Sequence, residues 1–342
     1  MKVTILDVAR EANVSKSTVS LVLNNSTAVK LETQYKVREA IKKLNYTPNL
    51  AARELTTNRT HTLGIVFLTS NHLKKAYAFD SVAETLLYDT SNGIYSGLEN
   101  TDYALLSERF SSVTNPSALP SLITNRRIDG VFLIGGLFTS DLIDHLRQIN
   151  LPTVIIGRQY SGTDSIFSEM ETVGYLAGKE LLEKHHKRIL FINGPVSNSN
   201  SQKKLLGMLK AFSEYGVDPS GLHVVNSGYT GLDGYKVLKE VWESGLRPDA
   251  IFGASDGITS GAMRFLFEQK VNIPQDLSII GYESSILSEY SPVNLTVIDA
   301  HKEKMGEEAC RALLKRIEKP RSNTVWLGIP PTLSHGTSVI ER

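Results

Sequence analysis

Apolar positions along the chain recur with two different periods, and the change falls near residue 60. Before it the spacing is helical. In residues 4–12, Ile5, Val8, Ala9 and Ala12 share one side of a short helix that Thr4 can cap, with Asp7 in its first turn. In residues 15–23, Ser15 can cap a second helix whose buried face is Val19, Val22 and Leu23, leaving Lys16, Ser17, Ser20 and Leu21 on the other face. Only Asn13 and Val14 separate the two, and asparagine tolerates the left-handed conformation that so sharp a connection needs. The pattern predicts a helix-turn-helix. A third amphipathic segment, residues 33–44, turns Val37, Ala40, Ile41 and Leu44 toward the first two before Tyr46-Thr47-Pro48-Asn49 stops it.

Residues 49–56 have helix-forming composition, but a segment shorter than about 12 residues is marginal in water and is expected to be helical only when something holds it. Residues 57–62 are polar and read as a linker. From Leu63 the rhythm changes to short apolar strands alternating with helices. Segments 63–68, 103–106, 130–134 and 153–157 read as buried parallel strands, and the pattern restarts at 189–193, 224–225, 250–253 and 278–281. Helical patterns at 140–149, 173–184, 201–215, 233–242 and 258–269 lie between them, whereas 73–88 has weak periodicity and reads as a long loop or insertion. The predicted fold is an α/β core of two doubly wound subdomains preceded by an all-α helix-turn-helix headpiece. Ligands of such folds bind at the carboxyl ends of the strands, here across a cleft between the two sheets.

With 342 residues and 41% hydrophobic content, the chain can bury more than one core. The net charge of +1 hides an asymmetry. Residues 1–60 hold ten of the 37 Lys and Arg against five of the 36 Asp and Glu, which leaves 27 against 31 for the rest. The basic excess sits where phosphates would be met. The single cysteine, Cys310, has no internal disulfide partner and lies in an amphipathic helix pattern. No signal-peptide pattern and no apolar run of about 18 residues is present, so a soluble cytoplasmic protein without membrane contact is expected.

The N-terminal stretch resembles the headpiece of the LacI/GalR family of transcriptional repressors. The likeness rests on Thr4-Ile5, Asp7-Val8-Ala9, Glu11-Ala12, Val14-Ser15, Ser17-Thr18-Val19-Ser20, Leu23-Asn24, Asn45-Tyr46, Pro48-Asn49, Ala52-Arg53 and Leu55, all in register. Further landmarks, among them Ile128-Asp129-Gly130-Val131, Asp249-Ala250-Ile251-Phe252 and Ile273-Pro274-Gln275-Asp276, carry the resemblance into the family's effector-binding core, which is akin to periplasmic sugar-binding proteins. It implies a headpiece at 1–48, a hinge helix and linker at 49–62 and a core at 63–342. Within the core it implies a first subdomain of about 63–160 plus 291–320 and a second of about 161–290 plus 321–342.

The resemblance implies DNA contacts at Thr4, Ser15, Lys16, Ser17, Thr18, Ser20 and Leu21, at Asn24 and Tyr46, and in the hinge at Asn49, Ala52, Arg53 and Leu55. Lys16 and Ser17 match the family's main base readers, Leu21 stands where the family usually has Arg, and Leu55 matches the side chain that wedges between base steps in the minor groove. Effector contacts are implied at Lys204, Tyr229, Ser255, Asp256 and Glu283, with Asp89 and Arg158 contributed by the first subdomain. Several depart from the family's usual residues: Lys204 replaces Arg and loses its bidentate fork, Ser255 replaces Asn, Glu283 replaces Asp, and Ser168-Glu169 replaces Asp-Asn. The expected protein is a DNA-binding regulator, a repressor, controlled by a sugar-like effector. Its expected partners are a near-palindromic operator and a second copy of itself in a homodimer.

One enzymatic reading competes. Gly253-Ala254-Ser255-Asp256-Gly257 has the form of a nucleophile elbow, and Glu283 or Asp299 followed by His301 or His335 gives the acid-then-histidine order of an α/β-hydrolase, hence an esterase acting through Ser255. Against it stand the absence of a glycine-rich oxyanion segment and the DNA-binding headpiece. His185-His186 has no second ligand cluster at metal-binding spacing, so neither metal nor cofactor is predicted.

Overall fold

The structure is a computed structural model and describes residues 3–23, 28–46, 59–68, 81–110, 119–135, 140–283, 291 and 293–342. The chain divides into two compact units, Met1–His61 and Thr62–Arg342.

The first unit holds α1 (Ile5–Glu11), α2 (Lys16–Leu23) and α3 (Leu31–Lys43). Asp7 closes the start of α1 by accepting hydrogen bonds from the Thr4 amide at 3.0 Å and the Thr4 hydroxyl at 2.7 Å. The Ser15 hydroxyl accepts the amide of Thr18 at 3.1 Å, which caps α2, and Asn13 takes the left-handed conformation with φ 52°. One fully buried valine from each helix, Val8, Val19 and Val37, meets at the centre. α3 starts at Leu31, before the expected residue 33; Leu31 is 80% exposed and adds nothing to the buried stripe, so the apolar period does not mark the start.

In the second unit, the first sheet is built around β1 (Thr62–Leu68), which pairs with β2 (Ala104–Phe110) on one side and β3 (Gly130–Gly135) on the other. Beyond β3 follow β4 (Thr153–Ile156), β5 (Asp164–Ser168) and β11 (Trp326–Ile329), all parallel. Side chains alternate along β1. Leu63, Ile65 and Phe67 pack under α4 (Ser81–Leu98) and α11 (Lys302–Glu318), while Val66 and Leu68 face α5 (Ser121–Thr124) and α6 (Ser140–Gln148).

The second sheet contains β6 (Ile189–Asn193), β7 (Leu222–Asn226), β8 (Ala250–Gly253), β9 (Ser278–Tyr282), β10 (Thr296–Asp299) and β12 (Thr332–Ser334). Its order is β12-β10-β9-β8-β6-β7, parallel except for β12 against β10. Its helices are α7 (Met170–Glu183), α8 (Ser199–Glu214), α9 (Gly231–Glu243) and α10 (Asp256–Glu268). α7 and α8 cross with their backbones in contact. A Cβ at Gly174 would collide with the carbonyl oxygen of Lys204, and one at Gly207 with that of Glu171, so only glycine admits this approach.

The sheets move the expected subdomain boundaries. Asp164–Ser168 belongs to the first sheet rather than the second, Thr296–Asp299 to the second rather than the first, and Trp326–Ile329 to the first. The chain therefore passes between the sheets at 168–170, 299–302 and 329–332. Arg316 of α11 clasps Asp164 of β5 with two 2.8 Å bonds, which fastens the late helix to the early strand. The region expected as a loop at 73–88 is also different: Ser81 to Tyr88 open the 18-residue α4, and 73–80 lie outside the described residues. Gly93 and Gly97 weaken the helical pattern of α4 because they are spent on close contact with Glu303 and Cys310 of α11. Among the described residues no helix is long and apolar enough to cross a membrane.

Candidate functional site

In the second sheet the winding reverses at β6, which lies between β7 and β8, and a crevice opens at the carboxyl ends of β6 and β8. β6 delivers Asn193 and Gly194. A side chain at Gly194 would strike the Tyr229 ring, which lies directly over the backbone there. The Tyr229 hydroxyl is 3.0 Å from that of Ser201 on α8, and Ser201 is pinned in turn by the Asn193 amide, which donates to its carbonyl at 3.0 Å. β8 runs into Ala254, Ser255 and Asp256, and α10 begins at Asp256.

Lys204, one turn beyond Ser201 on α8, is buried. Its ammonium donates to the Ala254 carbonyl at 2.7 Å and stands 3.6 Å from the centroid of the Tyr282 ring, a cation–π contact. Burial pushes its pKa down to about 8, while Glu283 and Asp256 pull upward and Lys302 downward. Glu283 follows Tyr282 with a positive φ of 78°, its amide donating to the Ile298 carbonyl at 2.7 Å. Its carboxylate is ion-paired with Lys302, the first residue of α11. Lys302 also reaches Thr85 at 3.0 Å and Asp89 at 3.4 Å, both on α4. Burial alone would lower the Lys302 pKa, but Glu283, Asp256 and Asp89 outweigh it and raise it. Burial raises that of Asp89 against the pull of Lys302.

Five of the seven residues expected at the effector site thus lie along one network, and the other two act on it through charge. It runs from Asp89 through Lys302 to Glu283, past Tyr282 to Lys204, through Ala254 to Ser255 and on to Tyr229, whose backbone carbonyl lies 3.5 Å from the Ser255 hydroxyl. Asp256 acts electrostatically on both lysines. Arg158 joins from the first subdomain, its pKa lowered by burial and raised in part by the Tyr229 hydroxyl. Lys302 and Tyr282 were missed by sequence reasoning. A lysine in the first helical turn opposes the helix dipole and calls for nearby carboxylates, and that was the available signal for Lys302.

In the headpiece, Thr4, Ser15, Lys16, Ser17 and Leu21 are exposed, Thr18 and Ser20 are half-buried, and Tyr46 packs against the small core. Asn24, Asn49, Ala52, Arg53 and Leu55 lie outside the described residues, as does the whole 49–56 segment.

Residues 4–49 match the family described as bacterial regulatory proteins, lacI family, and residues 179–339 match the periplasmic binding protein-like domain. The HTH-type transcriptional repressor PurR of Edwardsiella ictaluri is 31% identical over 347 residues, covering 99% of this chain and 97% of the relative. The chain belongs to the lacI family. Among solved structures of LacI-type regulators, a transcriptional regulator CelR–cellobiose complex is similar with a TM-score of 0.70 at 25% identity, covering 99% of this chain and 100% of that one. A Lac repressor dimer bound to operator and the anti-inducer ONPF aligns with a TM-score of 0.78 at 22% identity and the same coverage.

For a LacI-family chain the esterase reading fails, and the geometry says why. Ser255 is buried and its hydroxyl is engaged in capping α10, accepting the Ile258 amide at 3.2 Å. Glu283 is held by Lys302, and the His301 ring lies against Thr332 at 2.9 Å and Asp299 at 3.4 Å. The five-residue glycine motif is a strand-to-helix turn whose serine serves the helix.

Proposed function

We propose that this LacI-family regulator represses transcription by binding a near-palindromic operator as a homodimer, and that a sugar-type effector in the cleft between the two core subdomains sets its affinity for DNA. The observation that carries this reading is the convergence of groups from both subdomains on one network. Asp89, Arg158 and Lys302 come from the first, and Lys204, Tyr229, Asp256 and Glu283 from the second. A ligand that engages both sides changes the relation between the subdomains by as much as its differential affinity for their arrangements. Polar groups beside the Tyr229 and Tyr282 rings suit polyol recognition. The cellobiose bound by the CelR relative supports the ligand class.

The exposed face of α2 supports the DNA reading, since a recognition helix presents its N-terminal residues to base edges, and a C2 dimer calls for two related half-sites. The test is selection of operator sequences from random duplexes by the full chain, followed by a thermal-shift screen of sugars and sugar derivatives. Enrichment of a near-palindrome whose binding responds to a stabilising ligand is the expected result. A strictly monomeric chain at micromolar concentration, or selected DNA without dyad symmetry, overturns the dimer reading.

A further inference from the structure

Beside the network described above lies a cavity of about 400 Å³, and its chemistry is different. Arg158 and Lys203 line it, and among its described lining residues none is acidic. The N-terminus of the 16-residue α8 opens on it through Ser199 and Asn200, with no acidic residue in the first turn. The Asn198 side chain caps that end by accepting the Asn200 amide at 2.9 Å, and the positive end of the helix dipole still attracts negative charge. Ser168, at the end of β5, also lines the cavity. Its hydroxyl is buried and has no hydrogen-bond partner, a cost that a ligand oxygen would remove. The Trp326 ring, half exposed, forms a further wall.

We propose that this cavity is an anion subsite of the effector cleft, and that the effector is an acidic sugar derivative whose phosphate or carboxylate sits between Arg158, Lys203 and the start of α8, accepting a hydrogen bond from Ser168. This rests on the effector reading of the cleft. Continuity between the two regions is structural: Asn200 of the cavity, Ser201 against Tyr229 and Lys204 against Tyr282 follow one another on α8, and Asn200 reaches the Gly157 carbonyl of the first subdomain at 3.5 Å. The sugar ring would lie along the network while its anionic group enters the basic cavity. Two cations and a helix end suit a doubly charged group.

Trp326 supplies a local reporter. Trp242→Phe leaves it as the single tryptophan of the chain, which has two. The full chain carrying that change is titrated with inorganic phosphate, glucose 6-phosphate, glucuronate and glucose at constant ionic strength, following tryptophan emission. A saturable response to phosphate and to at least one of the two acidic sugars is expected, weakened about tenfold or more in Arg158→Gln and in Lys203→Gln. Lys203 is exposed, so its replacement leaves folding intact. Glucose 6-phosphate against glucuronate distinguishes the two anions on a common ring. No saturable response to any of the three anions, or one unchanged in both variants, overturns the subsite. A glucose response that depends on Asp256 and not on Arg158 keeps the effector reading and overturns the acidic ligand. Anion binding that leaves affinity for the selected operator unchanged keeps the subsite and overturns the effector reading.

Discussion

Lys302, at the start of the helix that covers the first sheet, is ion-paired with Glu283, the residue that follows β9 of the second sheet, so one buried charge pair spans the two subdomains. The side chains are 4% and 7% exposed. Removing one partner strands the other charge away from water. Glu283→Gln should therefore lower unfolding free energy by about 3–5 kcal/mol, and Lys302→Met should act alike. The double variant should recover most of the loss, because replacing both ends of a buried pair is far milder than breaking it. Denaturant midpoints of the three variants check this, and additive losses would show that the pair is not coupled.

Lys204 gives a pH dependence with a definite sign. Its pKa is about 8 in the folded chain, against 10.5 for an unperturbed lysine. Below about 8 both states carry the proton. Between about 8 and 10.5 only the unfolded chain does, so this group's contribution to unfolding free energy rises with pH across that window. Comparing melting temperatures of the native chain and Lys204→Met through the alkaline range should show the rise in the first and its absence in the second. Parallel curves would place the titration elsewhere.

Leu21 is 42% exposed on α2, on the same side as Lys16 and Ser17. A leucine offers a guanine no hydrogen bond but can meet a thymine methyl. Leu21→Arg should shift the preferred base at one operator position toward guanine, with discrimination of about 1–3 kcal/mol. An unchanged selected consensus would show that Leu21 stays out of the groove.

Gly174 admits the backbone of α8 at Lys204. A methyl group there must push α8 away, which costs about 1–3 kcal/mol in a well-packed interior and moves Lys204 off Tyr282 and Ala254. Gly174→Ala should thus lower both melting temperature and ligand response, whereas alanine at Gly216, where nothing stands near the new Cβ but φ is +64°, should affect stability alone.

How much of this was legible in the sequence differs by scale. The three valines of the headpiece and the alternation along β1 follow from local period, because each element buries one face. The seven cleft residues were reachable through resemblance; Arg158, Tyr229, Ser255, Asp256 and Glu283 also sit at strand ends or helix starts that the pattern marks, whereas Asp89 and Lys204 lie inside helices and had only the resemblance. The boundaries between subdomains were not. Both sheets are built of similar short apolar parallel strands, so nothing within Asp164–Ser168 or Thr296–Asp299 says which sheet it joins. Trp326–Ile329 is a four-residue edge strand with an exposed tryptophan, too short to show a period. The Lys302–Glu283 pair depends on a crossing between sheets, and the basic cavity on loop ends brought together by it, so both required the tertiary structure.

The three passages of the chain between sheets also bear on the order in which the protein can be made. The first sheet begins at residue 62, yet its covering helix ends at 318 and its edge strand at 329, near the end of 342 residues. Synthesis runs at about 5–20 residues per second. The apolar faces of Leu63, Ile65 and Phe67 therefore emerge from the ribosome many seconds before Met305, Ala309 and Leu313 exist to cover them. The headpiece core, drawn from residues between Ile5 and Tyr46, has no such wait. A nascent chain of this protein passes through a stage in which a DNA-binding module is complete while the sheet behind it is only half covered.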